Sequence, residues 1–84
     1  MMKSNENLKK KIIYRSMHRG TKEMDLLLGT FVKKYIDNLN FDELNDLSEL
    51  LGFDDDVLKE IYFKKKIDDT PKKQIFKLFI DFKI

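Results

Sequence analysis

Side chains that could do chemistry are concentrated in one short stretch of the chain, residues 12–29. Its polar side chains include Tyr14, Arg15, Ser16, His18, Arg19, Glu23 and Asp25. Gly20 lies among them and predicts a short turn, which would bring these groups close together. An arginine at such a turn can hydrogen-bond two acceptors at once, a property that favours arginine at protein interfaces. The stretch therefore indicates either a binding surface or a set of ion pairs that closes the turn.

These residues do not match the arrangements that catalytic and metal sites need. Glu23 and Asp25 are two residues apart, so on a helix they point about 200° apart and cannot face one substrate as a pair. His18 is the single histidine, and there is no cysteine, which excludes a histidine-rich or thiolate metal centre. The run 54–56 lacks the glycine and the terminal glutamate of a calcium loop, so we interpret it as helix capping. We expect no active site and no metal.

The turn has two interpretations, which the residues by themselves leave open. In the first, Gly20 makes the turn with a left-handed backbone, Arg19 pairs with Glu23, and Asp25 pairs with Arg15. Exposed pairs of this kind contribute only about 0–1 kcal/mol to stability. In the second, the turn presents an arginine, an exposed backbone and a carboxylate to a partner protein.

Length and composition indicate one small domain. The 84 residues fit a single domain, residues 1–84, and a chain this short has a thin core. Apolar residues make up 42% and charged residues 38%, and no apolar run approaches the roughly 20 residues of a spanning helix. Residues 1–11 are polar and basic, without the apolar segment of a secretory signal or the arginines of a transit peptide. We expect a complete cytoplasmic protein or a mature organellar one, and no membrane.

Charge alternates along the chain in three blocks. Residues 1–22 hold seven basic residues against one acidic, residues 23–60 eleven acidic against three basic, and residues 61–84 seven basic against three acidic. A nucleic-acid binder usually has one continuous basic face, so we predict no nucleic acid as the partner. The alternative function is a small basic helical module that contacts phosphates through Lys9, Lys10, Lys11, Arg15 and Arg19.

The spacing of apolar residues predicts helices throughout, joined by short turns, because the chain has one proline and three glycines. The first helix is predicted over about residues 6–17. The second begins just after Gly20 and ends near residue 38, with a broad apolar stripe typical of a central helix. Gly29 lies inside this helix and indicates that a neighbouring helix crosses closely there, since a glycine in a helix costs about 1 kcal/mol.

Capping residues predict the remaining three helices. Asn40 with Glu43 forms a capping box for the third helix, whose inner face includes Phe41 and which ends at Gly52. The fourth helix opens at Asp54, carries Val57 on its apolar face and closes in the lysines of residues 64–66. Thr70 and Pro71 are expected to start the fifth helix, whose basic flank could leave it loosely attached. The sequence predicts an all-α fold, a compact five-helix bundle.

The segment from Tyr14 to Gly29, Y-R-S-x-x-R-G-x-x-E-x-D-L-L-L-G, resembles the signature of the flavinylation factors of succinate dehydrogenase. This family is called succinate dehydrogenase assembly factor 2 in mitochondria and SdhE in bacteria. The central Arg-Gly-x-x-Glu matches Arg19, Gly20 and Glu23, and Asp25 matches the aspartate that follows. A weaker resemblance covers residues 47–58. The family commonly has a tryptophan in the fourth helix, where this chain has isoleucine and tyrosine at positions 61 and 62.

The resemblance implies a five-helix assembly factor, or chaperone, that binds the flavoprotein subunit of succinate dehydrogenase, and in some bacteria of fumarate reductase. Such a factor promotes covalent attachment of FAD to a histidine of that subunit and has no active site of its own. The FAD then belongs to the partner, and no cofactor is bound stably. We expect a monomer, in the cytoplasm if the source is a bacterium and in the mitochondrial matrix if it is a eukaryote. Its expected partner-binding residues are Arg19, Gly20 and Glu23, with Asp25, Arg15 and Tyr14 beside them.

Overall fold

Five α-helices make up most of the part of the chain that the computed structural model describes, residues 2–64 and 73–83, and no strand occurs in it. The helices are α1 (Met2–Met17), α2 (Lys22–Tyr35), α3 (Phe41–Leu51), α4 (Asp55–Lys64) and α5 (Gln74–Asp81). A 3-10 turn, Ile36–Asn38, continues α2. The Cα radius of gyration of 12.1 Å is that of a compact chain of this length. The predicted all-α five-helix bundle is confirmed.

Polar side chains start the two central helices. Thr21 is the N-cap of α2, and its hydroxyl accepts a hydrogen bond of 3.2 Å from the backbone N–H of Met24. The sequence placed this start correctly, just after Gly20, but did not identify its cap. The capping box of α3 is confirmed: Asn40 Oδ1 accepts from the Glu43 N–H at 2.8 Å, and Glu43 Oε1 accepts from the Asn40 N–H at 2.9 Å. Helix α1 begins at Met2, earlier than predicted.

Helix α2 lies at the centre of the core, as its broad apolar stripe predicts. Phe31 in this helix is fully buried and packs edge-on against Phe79 and Phe82, with ring centroids 5.4 and 5.3 Å apart. The buried apolar side chains of the described residues are Ile12, Met24, Leu27, Leu28, Phe31, Val32, Ile36, Leu44, Leu47, Leu50, Leu51, Leu58, Ile61, Ile75, Phe76, Phe79, Ile80 and Phe82. They form one cluster. None of the described helices is both long and apolar enough to cross a lipid bilayer.

Helix α5 is packed into this core and not loosely attached. Phe76 and Phe79 are buried, and the hydroxyl of Tyr62 in α4 donates a hydrogen bond to the carbonyl of Phe82 just after α5. Lys73, the residue before α5, contacts the carboxylates of Asp46 at 3.2 Å and Glu49 at 2.7 Å. The predicted start of this helix at residues 70–71 lies outside the described residues, as do two of the lysines predicted to close α4.

Two apolar residues predicted to face the core are exposed instead. Phe41 is 51% exposed and Val57 is 42% exposed. Phe41 is the first residue of α3, and Val57 is in the first turn of α4. Side chains in a helix tilt toward its N-terminus, so an apolar residue in the first turn points beyond the end of the helix. The apolar spacing identified the correct face of each helix. It did not show how far along the helix that face is covered by its neighbours.

The predicted close crossing at Gly29 is present, but it is not tight. A Cβ atom built on Gly29 would lie 3.6 Å from the Cγ atom of Met17 at the end of α1, an ordinary van der Waals distance. Gly29 also borders a shallow surface depression of about 160 Å³, lined by Met17, Asp25, Leu26, Gly29, Thr30 and Lys33. The space beside α2 is therefore large enough for a methyl group.

We predict that Gly29→Ala stabilises the protein by about 0.5–1 kcal/mol, because alanine favours the helix and meets no clash. The melting temperature should rise by about 4–8 °C per kcal/mol for a domain of this size. Thermal unfolding followed by circular dichroism measures the change. A lower melting temperature would mean that the new methyl group clashes with Met17, which would contradict the 3.6 Å separation from its Cγ atom.

Candidate functional site

Two turns meet at one end of the bundle. Residues 18–21, between α1 and α2, lie against residues 52–54, between α3 and α4. Between them is an open cavity of about 460 Å³, lined by His18, Arg19, Gly20, Leu51, Gly52, Phe53, Asp54, Asp55 and Asp56. We call these two turns and their hydrogen bonds the turn clamp. It contains Arg19 and Gly20, two of the expected partner-binding residues, and it brings in residues that are more than 30 positions away in sequence.

Arg19 is the central side chain of the turn clamp. Its Nε atom donates to Asp55 Oδ1 at 2.8 Å, and its two terminal nitrogens donate to the backbone carbonyls of Leu51 and Phe53, each at 2.8 Å. The Arg19 side chain is only 11% exposed. The two carbonyls belong to the end of α3 and the residues after it, where backbone acceptors lack helical partners. Arg19 therefore ties the first turn to the second and is not presented to solvent.

Gly20 completes the clamp through its backbone. Its N–H donates to Asp55 Oδ2 at 2.9 Å, so both oxygens of the Asp55 carboxylate are engaged. The expected left-handed backbone is wrong, because the φ angle of Gly20 lies outside that region. The reason for glycine is close approach: a Cβ atom here would lie 3.2 Å from Asp55 Oδ2, which is tighter than ordinary contact.

The ion pairs of the first interpretation of the turn are not formed. Arg19 pairs with Asp55 and not with Glu23. Asp25 accepts a hydrogen bond of 2.6 Å from the backbone N–H of Arg19, while Arg15 donates to Ser48 Oγ at 3.4 Å. Asp25 is thus a local acceptor that fixes the end of α1.

The exposed residues beside the clamp are Tyr14 and Glu23. Tyr14 is 62% exposed, and its ring stacks on His18 with centroids 4.0 Å apart. His18 Nδ1 lies 2.8 Å from the Tyr14 carbonyl, which holds the imidazole on α1. Glu23 is exposed in the first turn of α2, and within the described residues its carboxylate has no hydrogen-bond or ion-pair partner. Leu26, one helical turn further along α2, is 59% exposed.

Asp55 is the site residue that the sequence did not reveal. The run of aspartates predicted the start of α4 correctly, but helix capping explained it fully and gave no reason to look for a second role. Ser48 was missed because its contact, Arg15, lies 33 residues away in sequence. The separation of Asp55 from Gly20 is 35 residues, and no periodic pattern connects positions that far apart.

The electrostatics of the clamp follow from these contacts. Partial burial of the Asp55 carboxyl raises its pKa, but the Gly20 N–H and Arg19 hydrogen bonds and the charges of Arg19 and Lys59 outweigh burial. The pKa of Asp55 is therefore held below its ordinary value. Among the described residues no group of three acidic, histidine or cysteine side chains is placed to hold a metal ion.

The fold and the clamp together define a small all-α domain with a polar turn fastened to the bundle from within. A family model described as flavinator of succinate dehydrogenase matches residues 10–83. The chain belongs to this family. The resemblance carried by the Arg19–Gly20 motif is thereby confirmed over most of the chain.

Named relatives agree with this assignment. The chain is 38% identical over 68 residues to succinate dehydrogenase assembly factor 2, mitochondrial, of Meyerozyma guilliermondii, covering 79% of this chain and 48% of the relative. It is 36% identical over 74 residues to the Dictyostelium discoideum protein of the same name, covering 87% and 52%. It is 34% identical over 55 residues to FAD assembly factor SdhE of Acetobacter pasteurianus, covering 66% and 50%.

The chain spans about half the length of these relatives. No solved structure matches it.

We predict that the turn clamp makes stability depend on pH. Because the folded-state pKa of Asp55 is lowered, its contribution is complete above the pKa of a free aspartate, about 3.9, and is lost as the pH falls through the folded value. The difference in unfolding free energy between wild type and Asp55→Asn should be constant between about pH 7 and pH 5 and should shrink below about pH 4. Urea unfolding at each pH measures it.

Asp56→Asn is the matched control, because Asp56 is exposed in the same first turn of α4. Its difference from wild type should be smaller than that of Asp55→Asn at neutral pH. A pH-independent difference for Asp55→Asn would contradict an ionised Asp55 in the clamp.

Proposed function

We propose that this chain is an assembly factor that binds the flavoprotein subunit of succinate dehydrogenase and promotes covalent attachment of FAD to it. The observation that carries the proposal is the family match over residues 10–83, whose description is flavinator of succinate dehydrogenase. The names of the relatives, assembly factor 2 and FAD assembly factor, support the same activity. The flavoprotein of fumarate reductase is proposed as a second target.

The proposed contact surface lies around the turn clamp. It contains the exposed backbone of Gly20, the unpaired carboxylate of Glu23 and the exposed ring of Tyr14. Arg15 is exposed on the same helix as Tyr14. An exposed carboxylate without an internal partner is free to accept hydrogen bonds from a partner protein, and tyrosine is enriched at interfaces because it combines a large apolar face with a hydroxyl group.

Arg19 and Asp25 support this surface from within. Arg19 is mostly buried in its contacts with Asp55 and the end of α3, and Asp25 accepts from the Arg19 N–H. We therefore assign the arginine of the motif to shaping the turn, and the exposed glutamate to contacting the partner.

The mechanism we propose is conformational. Covalent flavin attachment requires the flavin and a histidine of the partner to be held at reacting distance, and positioning alone can supply several kcal/mol of a barrier. A protein that binds the competent conformation of its partner more tightly shifts the population toward it without entering the reaction. In this proposal the chain has no active site of its own, and the FAD stays with the flavoprotein.

The chain is proposed to act as a monomer, in the cytoplasm of a bacterium or in the mitochondrial matrix of a eukaryote. No observation favours the nucleic-acid alternative. Two of the five basic side chains on which such binding would rely form ion pairs within the fold: Arg19 with Asp55, and Lys9 with Asp37 at 3.7 Å.

We predict that Glu23→Ala weakens binding to the flavoprotein by about 2 kcal/mol, roughly 30-fold, because it removes a charged contact with the partner. Covalent flavin, read as in-gel fluorescence of the denatured flavoprotein, should fall accordingly at limiting concentrations of the chain. Circular dichroism should change little, since the lost interaction with the helix dipole is worth only about 0.3–1 kcal/mol.

Asp42→Ala is the matched control. Asp42 is exposed and occupies in α3 the position that Glu23 occupies in α2, two residues after the N-cap. It loses the same helix-dipole interaction, at the opposite end of α3 from the clamp. Equal activity of the two variants would show that the Glu23 carboxylate does not contact the partner.

We predict that Gly20→Arg abolishes the activity. The new Cβ would meet Asp55 Oδ2 at 3.2 Å, and the added guanidinium would compete with Arg19 for the same carboxylate. Covalent flavin should then stay at the level measured without the chain. Asn38→Arg adds the same charge at an exposed position beyond the far end of α2, about 21 Å along the helix, and should retain activity. Full activity of folded Gly20→Arg would exclude the turn as the contact centre.

A further inference from the structure

We infer that Asp55 is a positioning residue for the proposed activity: it holds the Arg19–Gly20 backbone in the conformation that the flavoprotein recognises. The inference rests on the proposed function and deepens it, because it adds a residue outside the Tyr14–Gly29 segment to the site. Asp55 is not assigned a contact with the partner. It acts through the backbone and side chain that it holds.

The geometry of the carboxylate supports this role. Oδ1 accepts from Arg19 Nε at 2.8 Å, and Oδ2 accepts from the Gly20 N–H at 2.9 Å. One carboxylate thus binds a side chain and a main-chain amide from successive residues. The adjacent amide, that of Arg19, is held by Asp25 at 2.6 Å. Two carboxylates, from α2 and α4, therefore fix two consecutive N–H groups of the turn.

Arg19 extends the same restraint to the rest of the second turn. A guanidinium has five N–H donors in a rigid plane. In Arg19 each of the three nitrogens donates to one acceptor, on Asp55, Leu51 or Phe53. Asp55 is therefore one of three groups that together fix the guanidinium plane and, through it, the backbone of Arg19. Lysine, with a single ammonium on a flexible stem, could not reproduce this arrangement.

The contact with Asp55 orders the turn before the partner binds. Gly20 has no side chain to restrict its backbone, and it is exposed. Its N–H is held by the Asp55 carboxylate, which fixes the backbone of an exposed residue. Fixing the backbone of one residue costs about 1–2 kcal/mol, and a turn that is already ordered does not have to lose that freedom on binding. Without Asp55 the partner would have to order the turn itself.

The test is a titration of covalent flavin against the concentration of the chain. For Asp55→Asn we expect the concentration for half-maximal flavinylation to rise about tenfold, as one hydrogen bond to a charged group is lost. The plateau should be unchanged, because a saturating partner still orders the turn. In a variant that is merely less stable, the activity would fall in proportion to the unfolded fraction. The assay is therefore run at a temperature at which circular dichroism shows each variant to be folded.

Two further variants sharpen the result. Asp42→Asn removes an exposed carboxylate from the first turn of α3, at the end of that helix remote from the turn clamp, and should titrate like wild type. Asp55→Glu keeps the charge and the ion pair with Arg19, but its longer side chain displaces the carboxylate from Gly20. We expect it also to raise the half-maximal concentration. In amide NMR spectra, the Gly20 signal should shift in both Asp55 variants and not in Asp42→Asn.

The outcomes separate this inference from the function on which it rests. Half-maximal concentrations equal to wild type for both Asp55 variants, with the Gly20 amide shifted, would overturn the positioning role while leaving the proposed function intact. An unchanged Gly20 amide would overturn the contact itself. The wild-type titration alone tests the proposed function. If the wild-type chain adds no covalent flavin to a folded flavoprotein, the proposed function and this inference are overturned together.

Discussion

The ion pair between Arg19 and Asp55 is the interaction on which the polar end of this molecule depends. It is 2.8 Å long and largely shielded from water, and the same carboxylate holds the Gly20 amide. Burying an arginine is costly unless its donors are satisfied. Here they meet a carboxylate and two carbonyls at the end of α3 that would otherwise lack partners. The clamp thus satisfies one helix terminus while it shapes the turn between two other helices.

The helices were predictable because each carries local information. Apolar spacing marked α2 as central, and the capping box of Asn40 with Glu43 marked the start of α3 within four residues of chain. The pairing of Arg19 was not predictable in this way. Glu23 is four residues from it and a reasonable partner by helical geometry. Arg19 pairs with Asp55 instead, because the folded bundle brings α4 against the first turn. The exposure of Phe41 and Val57 has a similar origin, since it depends on where neighbouring helices end.

The alternating charge of the chain has a simple structural explanation. Its basic and acidic blocks are joined by ion pairs that cross between them: Arg19 to Asp55, Lys9 to Asp37, and Lys73 to Glu49. The hydrogen bonds from Lys73 to Glu49 and Asp46 also raise the pKa of this lysine. Blocks that look like separate electrostatic surfaces in sequence are thus partly neutralised in the fold. The Arg-Gly motif therefore has a different character from a charged patch: its cation faces inward, and its glutamate faces outward.

The separation of the two halves of the clamp has a kinetic meaning. Arg19 and Asp55 are 36 residues apart, and contacts between distant residues form late because a long loop must first be closed. An incompletely folded chain contains the whole Arg-Gly-x-x-Glu motif but not the geometry that Asp55 imposes on it. The geometry of the turn is therefore coupled to completion of the fold. A nascent or partly unfolded chain carries the residues of the proposed contact surface without yet having that surface.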